Sequence, residues 1–87
     1  MAMRAPVLVT AVQVIPPYGL EVTFFDGTVR RINLASLLEK VEGPVFGPLK
    51  NPAYFAQAGI EGFTVAWPNG ADIAPEALYS DFETLAS

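Results

Sequence analysis

A chain of 87 residues has room for one small domain (1–87), and at that size about 60–65% of the unfolded surface is buried on folding. Hydrophobic residues make up 52% of it and charged residues 16%, against roughly 25% charged in an average soluble domain, so apolar surface is expected to remain outside, with self-association or a small protein partner as its outlet. Cysteine and histidine are both absent and the net charge is −4, which removes disulfides, zinc–thiolate sites, thiol catalysis and imidazole chemistry and argues against direct nucleic-acid binding.

In chain order, Val7 to Ile15 is valine-rich and runs into Pro16-Pro17, which cannot donate to a sheet ladder, so it predicts a strand stopped by a turn. Tyr18-Gly19 turns the chain back, and Leu20, Val22 and Phe24 then alternate with Glu21 and Thr23, the period of a half-buried strand. Asp26-Gly27 marks a hairpin, because glycine reaches positive φ without steric cost. A two-residue loop there would set Leu20, Val22 and Phe24 on one face with Val29, Arg31 and Asn33. A three-residue loop, Phe25-Asp26-Gly27 with Gly27 in the left-handed position of a bulge, aligns them instead with Ile32 and Leu34 and puts Glu21 opposite Arg31. The bulged form is the one predicted, since it gathers the apolar residues on one side.

Leu34, Leu37, Leu38 and Val41 follow the spacing of one helix face, with Asn33 as a cap or Ser36-Leu37-Leu38-Glu39 as a capping box, and Gly43-Pro44 as the stop. Val45 to Lys50 reads as an irregular link. Asn51 then caps a second helix that starts at Pro52 and runs through Tyr54, Phe55 and Ala58 to Gly59. Phe63 to Trp67 predicts a strand, Pro68-Asn69-Gly70 repeats the earlier turn chemistry, and Val65 pairs near Ile73. Ala74-Pro75-Glu76 opens a last helix with Leu78 and Phe82 on its apolar side, and a frayed tail is expected from about Thr84. The sum is an α+β fold: two antiparallel β-hairpins plus an N-terminal strand, packed with two or three short helices.

No residue group has the spacing of a catalytic, cofactor or metal site, and no glycine pattern makes a phosphate loop. Catalytic residues and cofactors are therefore not expected. Trp67 suits either a core anchor or a recognition aromatic, and Tyr79 an interface or half-buried packing. Arg30-Arg31 is a small basic cluster or a solvated strand position, and Asp72 and Glu76 accept backbone N–H groups or act as carboxylates. Trp67, Asp72, Tyr79, Arg30 and Arg31 are the residues assigned to a candidate interaction surface.

The string Phe25-Asp26-Gly27-Thr28-Val29-Arg30-Arg31-Ile32-Asn33-Leu34, the later Phe46-Gly47-Pro48-Leu49 and Tyr54-Phe55, and above all Trp67-Pro68-Asn69-Gly70-Ala71-Asp72-Ile73-Ala74-Pro75-Glu76-Ala77-Leu78-Tyr79 resemble the small bacterial family known as domain of unknown function 2442. The resemblance spans nearly the whole chain. It implies hairpins with short helices, a helix-turn-helix domain following in some relatives, and toxin-like neighbours in others; it brings no activity and no catalytic residues. Since the chain ends soon after Leu78-Tyr79, the DNA-binding extension is not expected here.

Two functional readings result. The first is a non-catalytic, cytoplasmic interaction module of antitoxin-like or adaptor kind. The second is a small-ligand or hard-metal binder, or an enzyme, working through carboxylates such as Asp26, Asp72 and Glu76. No apolar stretch approaches the roughly 20 residues of a membrane span, so no membrane role is expected.

Overall fold

Alternating apolar residues punctuated by Gly, Pro and Asn produce two antiparallel meanders joined by short helices. The computed structural model describes residues 7–80. The strands β1 (Val9–Ile15), β2 (Gly19–Phe24) and β3 (Val29–Asn33) form the first sheet, in that order. Helix α1 (Ala35–Lys40), a 3-10 turn (Gly47–Lys50) and α2 (Pro52–Phe55) lead to the second sheet, β4 (Gly59–Glu61), β5 (Thr64–Ala66) and β6 (Asp72–Ile73). Helix α3 (Pro75–Ser80) follows.

The two glycine-bent loops are the same construction used twice. Phe24 N–H donates to Thr28 C=O at 2.8 Å and Gly27 N–H to Phe24 C=O at 2.9 Å; Trp67 N–H donates to Ala71 C=O at 2.9 Å and Gly70 N–H to Trp67 C=O at 3.0 Å. Gly27 and Gly70 take φ of +87° and +89°, the left-handed region that other L-residues enter only at a cost. In each loop the middle side chain accepts a backbone N–H two residues on, Asp26 Oδ1 from Thr28 and Asn69 Oδ1 from Ala71. The three-residue loop sets the register: Leu20 lies opposite Ile32, Glu21 opposite Arg31, and, in the second sheet, Val65 opposite Ile73. Leu20, Val22, Phe24 and Ile32 are buried together in consequence.

That sheet face meets side chains delivered by the helices. Helix α1 begins at Ala35 with Leu34 as its N-cap, not one turn later; Asn33, the expected cap, stands one residue before that position and accepts the Ala35 N–H on Oδ1 at 2.9 Å, and the helix buries Leu38 beside Leu34. Asn51 caps α2 through Ala53 N–H at 2.9 Å, with Pro52 in the first turn. The link over 45–50 is more regular than expected, because the 3-10 turn carries Leu49 into the core. Helix α2 is shorter than expected and stops at Phe55. Residues 59–61 pair instead as β4, with Glu61 opposite Thr64, so the second sheet has three strands where a hairpin was predicted. Phe82 and the tail from Thr84 lie outside the described residues.

Phe55 is the pivot between the layers. Its ring meets Tyr18 edge-on at 5.6 Å and Trp67 at 5.5 Å, and Tyr18 Oη donates to Lys50 C=O. Thr64, a buried polar side chain, donates to Ile73 C=O within the second sheet. One cluster of buried side chains runs from Val9 and Leu20 through Phe55 to Val65, Ile73 and Leu78.

Candidate interaction surface

Trp67 is not on the surface. It is 2% exposed, and its indole Nε1–H donates to Phe55 C=O at 2.9 Å, so the anchor reading holds and the recognition reading falls. A tryptophan at the mouth of a hairpin is drawn in when its N–H finds a carbonyl inside, as it does here.

Arg30 and Tyr79 each tie α3 to the first sheet. Arg30 lies opposite Val22, and its Nη1 donates to Leu78 C=O at 2.9 Å, a cation placed favourably against a helix C-terminus. The Tyr79 ring packs edge-on against Phe24 at 4.9 Å, and its Oη donates to Asp26 Oδ2 at 2.8 Å and lies 3.3 Å from Thr28 Oγ1. These contacts clamp α3 on the first hairpin. Arg31 sits on the other face, paired with Glu21 at 2.9 Å across the strands. Asp72 is exposed on β6 and Glu76 exposed in the first turn of α3.

The Asp26 carboxyl is held below its ordinary value of 3.8 first by the Thr28 backbone N–H and then by the Tyr79 hydroxyl. Both bonds favour the ionised form. A depressed folded-state pKa contributes stability that is present above the unfolded value and lost as pH falls through the folded one. Tyr79→Phe is therefore expected to be less stable than the parent at neutral pH, with the gap narrowing below about pH 4 as Asp26 protonates. Urea unfolding followed over a pH series checks this; a gap that is constant down to acid would remove Asp26 from the clamp.

The exposed aromatics lie elsewhere. Phe25 is 67% exposed and Phe63 62% exposed, and both main chains bond the same peptide unit at the start of β1. Phe25 N–H donates to Leu8 C=O, and Val9 N–H donates to Phe63 C=O, each at 2.8 Å. The carbonyl and N–H of one trans peptide point in opposite directions, so the two residues flank that peptide on either side, with main chains roughly 10 Å apart at ordinary strand spacing. Phe63 also has φ of +62° beside Gly62 at +61°. Together they form the two-residue turn between β4 and β5, with both central residues at positive φ, where glycine and asparagine are the usual occupants. For phenylalanine that backbone costs about 1–2 kcal/mol. Its ring remains mostly in solvent, so little packing offsets the cost.

Neither Phe25 nor Phe63 is among the residues assigned from the sequence. Phe25 precedes Asp-Gly, and the alternation that sets Phe24 with Leu20 and Val22 on the buried face leaves Phe25 outside it. The described residues also line shallow grooves away from these rings. One of about 310 Å³ is lined by Tyr18, Ala35, Leu38, Glu39 and Lys50; another, of about 210 Å³, lies along Ile60, Glu61, Trp67 and Pro68. Among the described residues no three acidic, His or Cys side chains are grouped to hold a metal ion.

A family model described as protein of unknown function (DUF2442) matches residues 9–84. The chain belongs to the DUF2442 family. No curated protein matches it, and no solved structure does. The matched span takes in both glycine-bent loops, the capped α2 and the α3 clamp, so the DUF2442 model covers every element described above. No helix among the described residues is long and apolar enough to cross a membrane.

Proposed function

We propose that this DUF2442 domain is a non-catalytic protein-interaction module of the cytoplasm, adaptor or antitoxin-like in kind, and that its contact surface is built around Phe25 and Phe63. The observation that supports this reading is the pair of exposed rings on either side of the Leu8–Val9 peptide, one of them on backbone that glycine would occupy without cost. An aromatic kept at a strained, solvated position gives the fold little and a partner a large apolar contact. The carboxylate reading is less well supported, since Asp26 spends its oxygens on Thr28 and Tyr79 while Asp72 and Glu76 lie on β6 and α3.

Light scattering of the protein purified from its native cell tests this. Either a stoichiometric small protein or a self-associated form is expected, and Phe25→Ser is expected to release it. A particle that stays single and partnerless would overturn the reading. Stabilisation by a metal or metabolite in a thermal-shift panel would favour the carboxylate alternative.

A further inference from the structure

We infer that Asn69-Gly70 is a latent deamidation site, and that the bond from Asn69 to the link over 45–50 is what keeps it shut. Its chemistry does not depend on whether Phe25 and Phe63 form a contact surface.

The backbone nitrogen that follows an asparagine can lose its proton to hydroxide and attack the side-chain Cγ. A Cγ–N bond forms, the Cγ–Nδ2 bond breaks, and Nδ2 takes a proton from water and leaves as ammonia, giving a five-membered imide. Water then opens the imide, to aspartate if the new Cγ–N bond is cut and to isoaspartate if the original main-chain bond is cut. Glycine hinders the attack least, having no side chain to crowd its nitrogen. Of the three asparagines, Asn51 precedes Pro52, which has no N–H to lose, and Asn33 precedes the bulky Leu34; Asn69 precedes glycine.

The fold occupies the groups that this step uses. Gly70 N–H, the nucleophile, donates to Trp67 C=O at 3.0 Å. Asn69 Oδ1 accepts the Ala71 N–H at 3.1 Å, and Nδ2, the leaving group, donates to Val45 C=O at 2.7 Å. The first two bonds belong to the loop itself. The third reaches 24 residues back, to a segment held by Leu49 in the core and by the Gly47 N–H on Gly43 C=O. The loop around Asp26 supplies the contrast: it is closed by the same bonds, but its middle side chain is a carboxylate, whose negative charge repels a nucleophile.

Conversion is one-way. A carboxylate at position 69 still accepts the Ala71 N–H, as Asp26 accepts that of Thr28, but it has no proton to give Val45 C=O. The link is then released from the second loop. Isoaspartate also lengthens the main chain of the loop that sets Val65 opposite Ile73.

The test incubates the full chain at mildly alkaline pH, folded and in urea, and reads conversion at Asn69 by peptide mass spectrometry. The folded chain is expected to convert at least about tenfold more slowly than the chain in urea, because attack waits on local opening. Pro48→Gly frees the 3-10 turn while leaving Asn69, Gly70 and Val45 in place, and is expected to speed conversion several-fold. Tyr79→Phe, which loosens the α3 clamp instead, is expected to leave the rate unchanged. Asn69→Asp is expected to keep its loop closed and to lose hydrogen-exchange protection at the Gly47 and Leu49 amides, which bond within the link.

Conversion as fast in the folded chain as in urea, or none in urea, would overturn the site. Acceleration by Pro48→Gly and Tyr79→Phe alike, in step with their melting temperatures, would make global unfolding the route and overturn the part given to the link. Unchanged exchange at Gly47 and Leu49 in Asn69→Asp would show that the Asn69–Val45 bond holds nothing.

Discussion

Trp67→Ala is expected to lower unfolding free energy by about 3–5 kcal/mol, the range for deleting a large buried aromatic. A chain of this length has roughly 4–13 kcal/mol in total, so the variant should sit at the edge of folding. Two losses combine. The indole fills the space beside Phe55 at 5.5 Å, and its N–H is a second donor to the Phe55 carbonyl at the end of α2, which also accepts the Ala58 N–H at 3.1 Å; without the indole one buried hydrogen bond is lost. Trp67→Phe keeps most of the ring and loses the bond, and should fall between the two. Since Trp67 is the only tryptophan, far-ultraviolet circular dichroism in urea is the right readout. A loss under about 1 kcal/mol, ordinary for an unremarkable surface change, would refute the anchor role.

The next largest effect is expected from the two bulge glycines. Gly27→Ala and Gly70→Ala should each cost about 1–2 kcal/mol, and the double variant about 2–4 kcal/mol, because the loops belong to different sheets and are not expected to couple. The cause is isolated by geometry. A Cβ built at either position meets no atom within 4 Å, so the cost comes from the backbone at φ +87° and +89° and not from a clash. Asparagine, which tolerates left-handed backbone better than alanine, should recover part of the loss at both sites. Urea midpoints at unchanged slope measure this. Alanine variants within a few tenths of a kcal/mol of the parent would mean that the loops close another way.

The same glycines explain why so much of the fold is legible in the sequence. Asp26-Gly27 and Asn69-Gly70 carry their conformation locally, and once the bulge sets the loop length, the pairing of Glu21 with Arg31 and of Val65 with Ile73 follows from counting residues outward. Asn33 and Asn51 announce their helices by the same local bonding. Strand β4 escapes the sequence for the opposite reason. Its turn is Gly62-Phe63, and no propensity places a phenylalanine at positive φ; the pairing of 59–61 with 64–66 holds it there. The link over 45–50 hides its 3-10 turn because Gly47 and Pro48 within it, following Gly43-Pro44, read only as breaks.

Of the five residues assigned to a candidate surface, Trp67 is interior, Arg30 and Tyr79 hold α3 in place, Arg31 is exposed and pairs with Glu21, and Asp72 is exposed on β6. Tyr79 and Asp26 are 53 residues apart, so no local pattern could announce their bond.

By itself, then, the sequence determined what depends on neighbouring residues: turn type, register, helix starts, the alternation of faces, and the absence of thiol and imidazole chemistry. Only the tertiary structure decided which aromatics are covered. Burial of a ring depends on what distant segments lay over it, and here α2 closes over Trp67 while the Leu8–Val9 peptide separates Phe25 from Phe63 and leaves both rings in water.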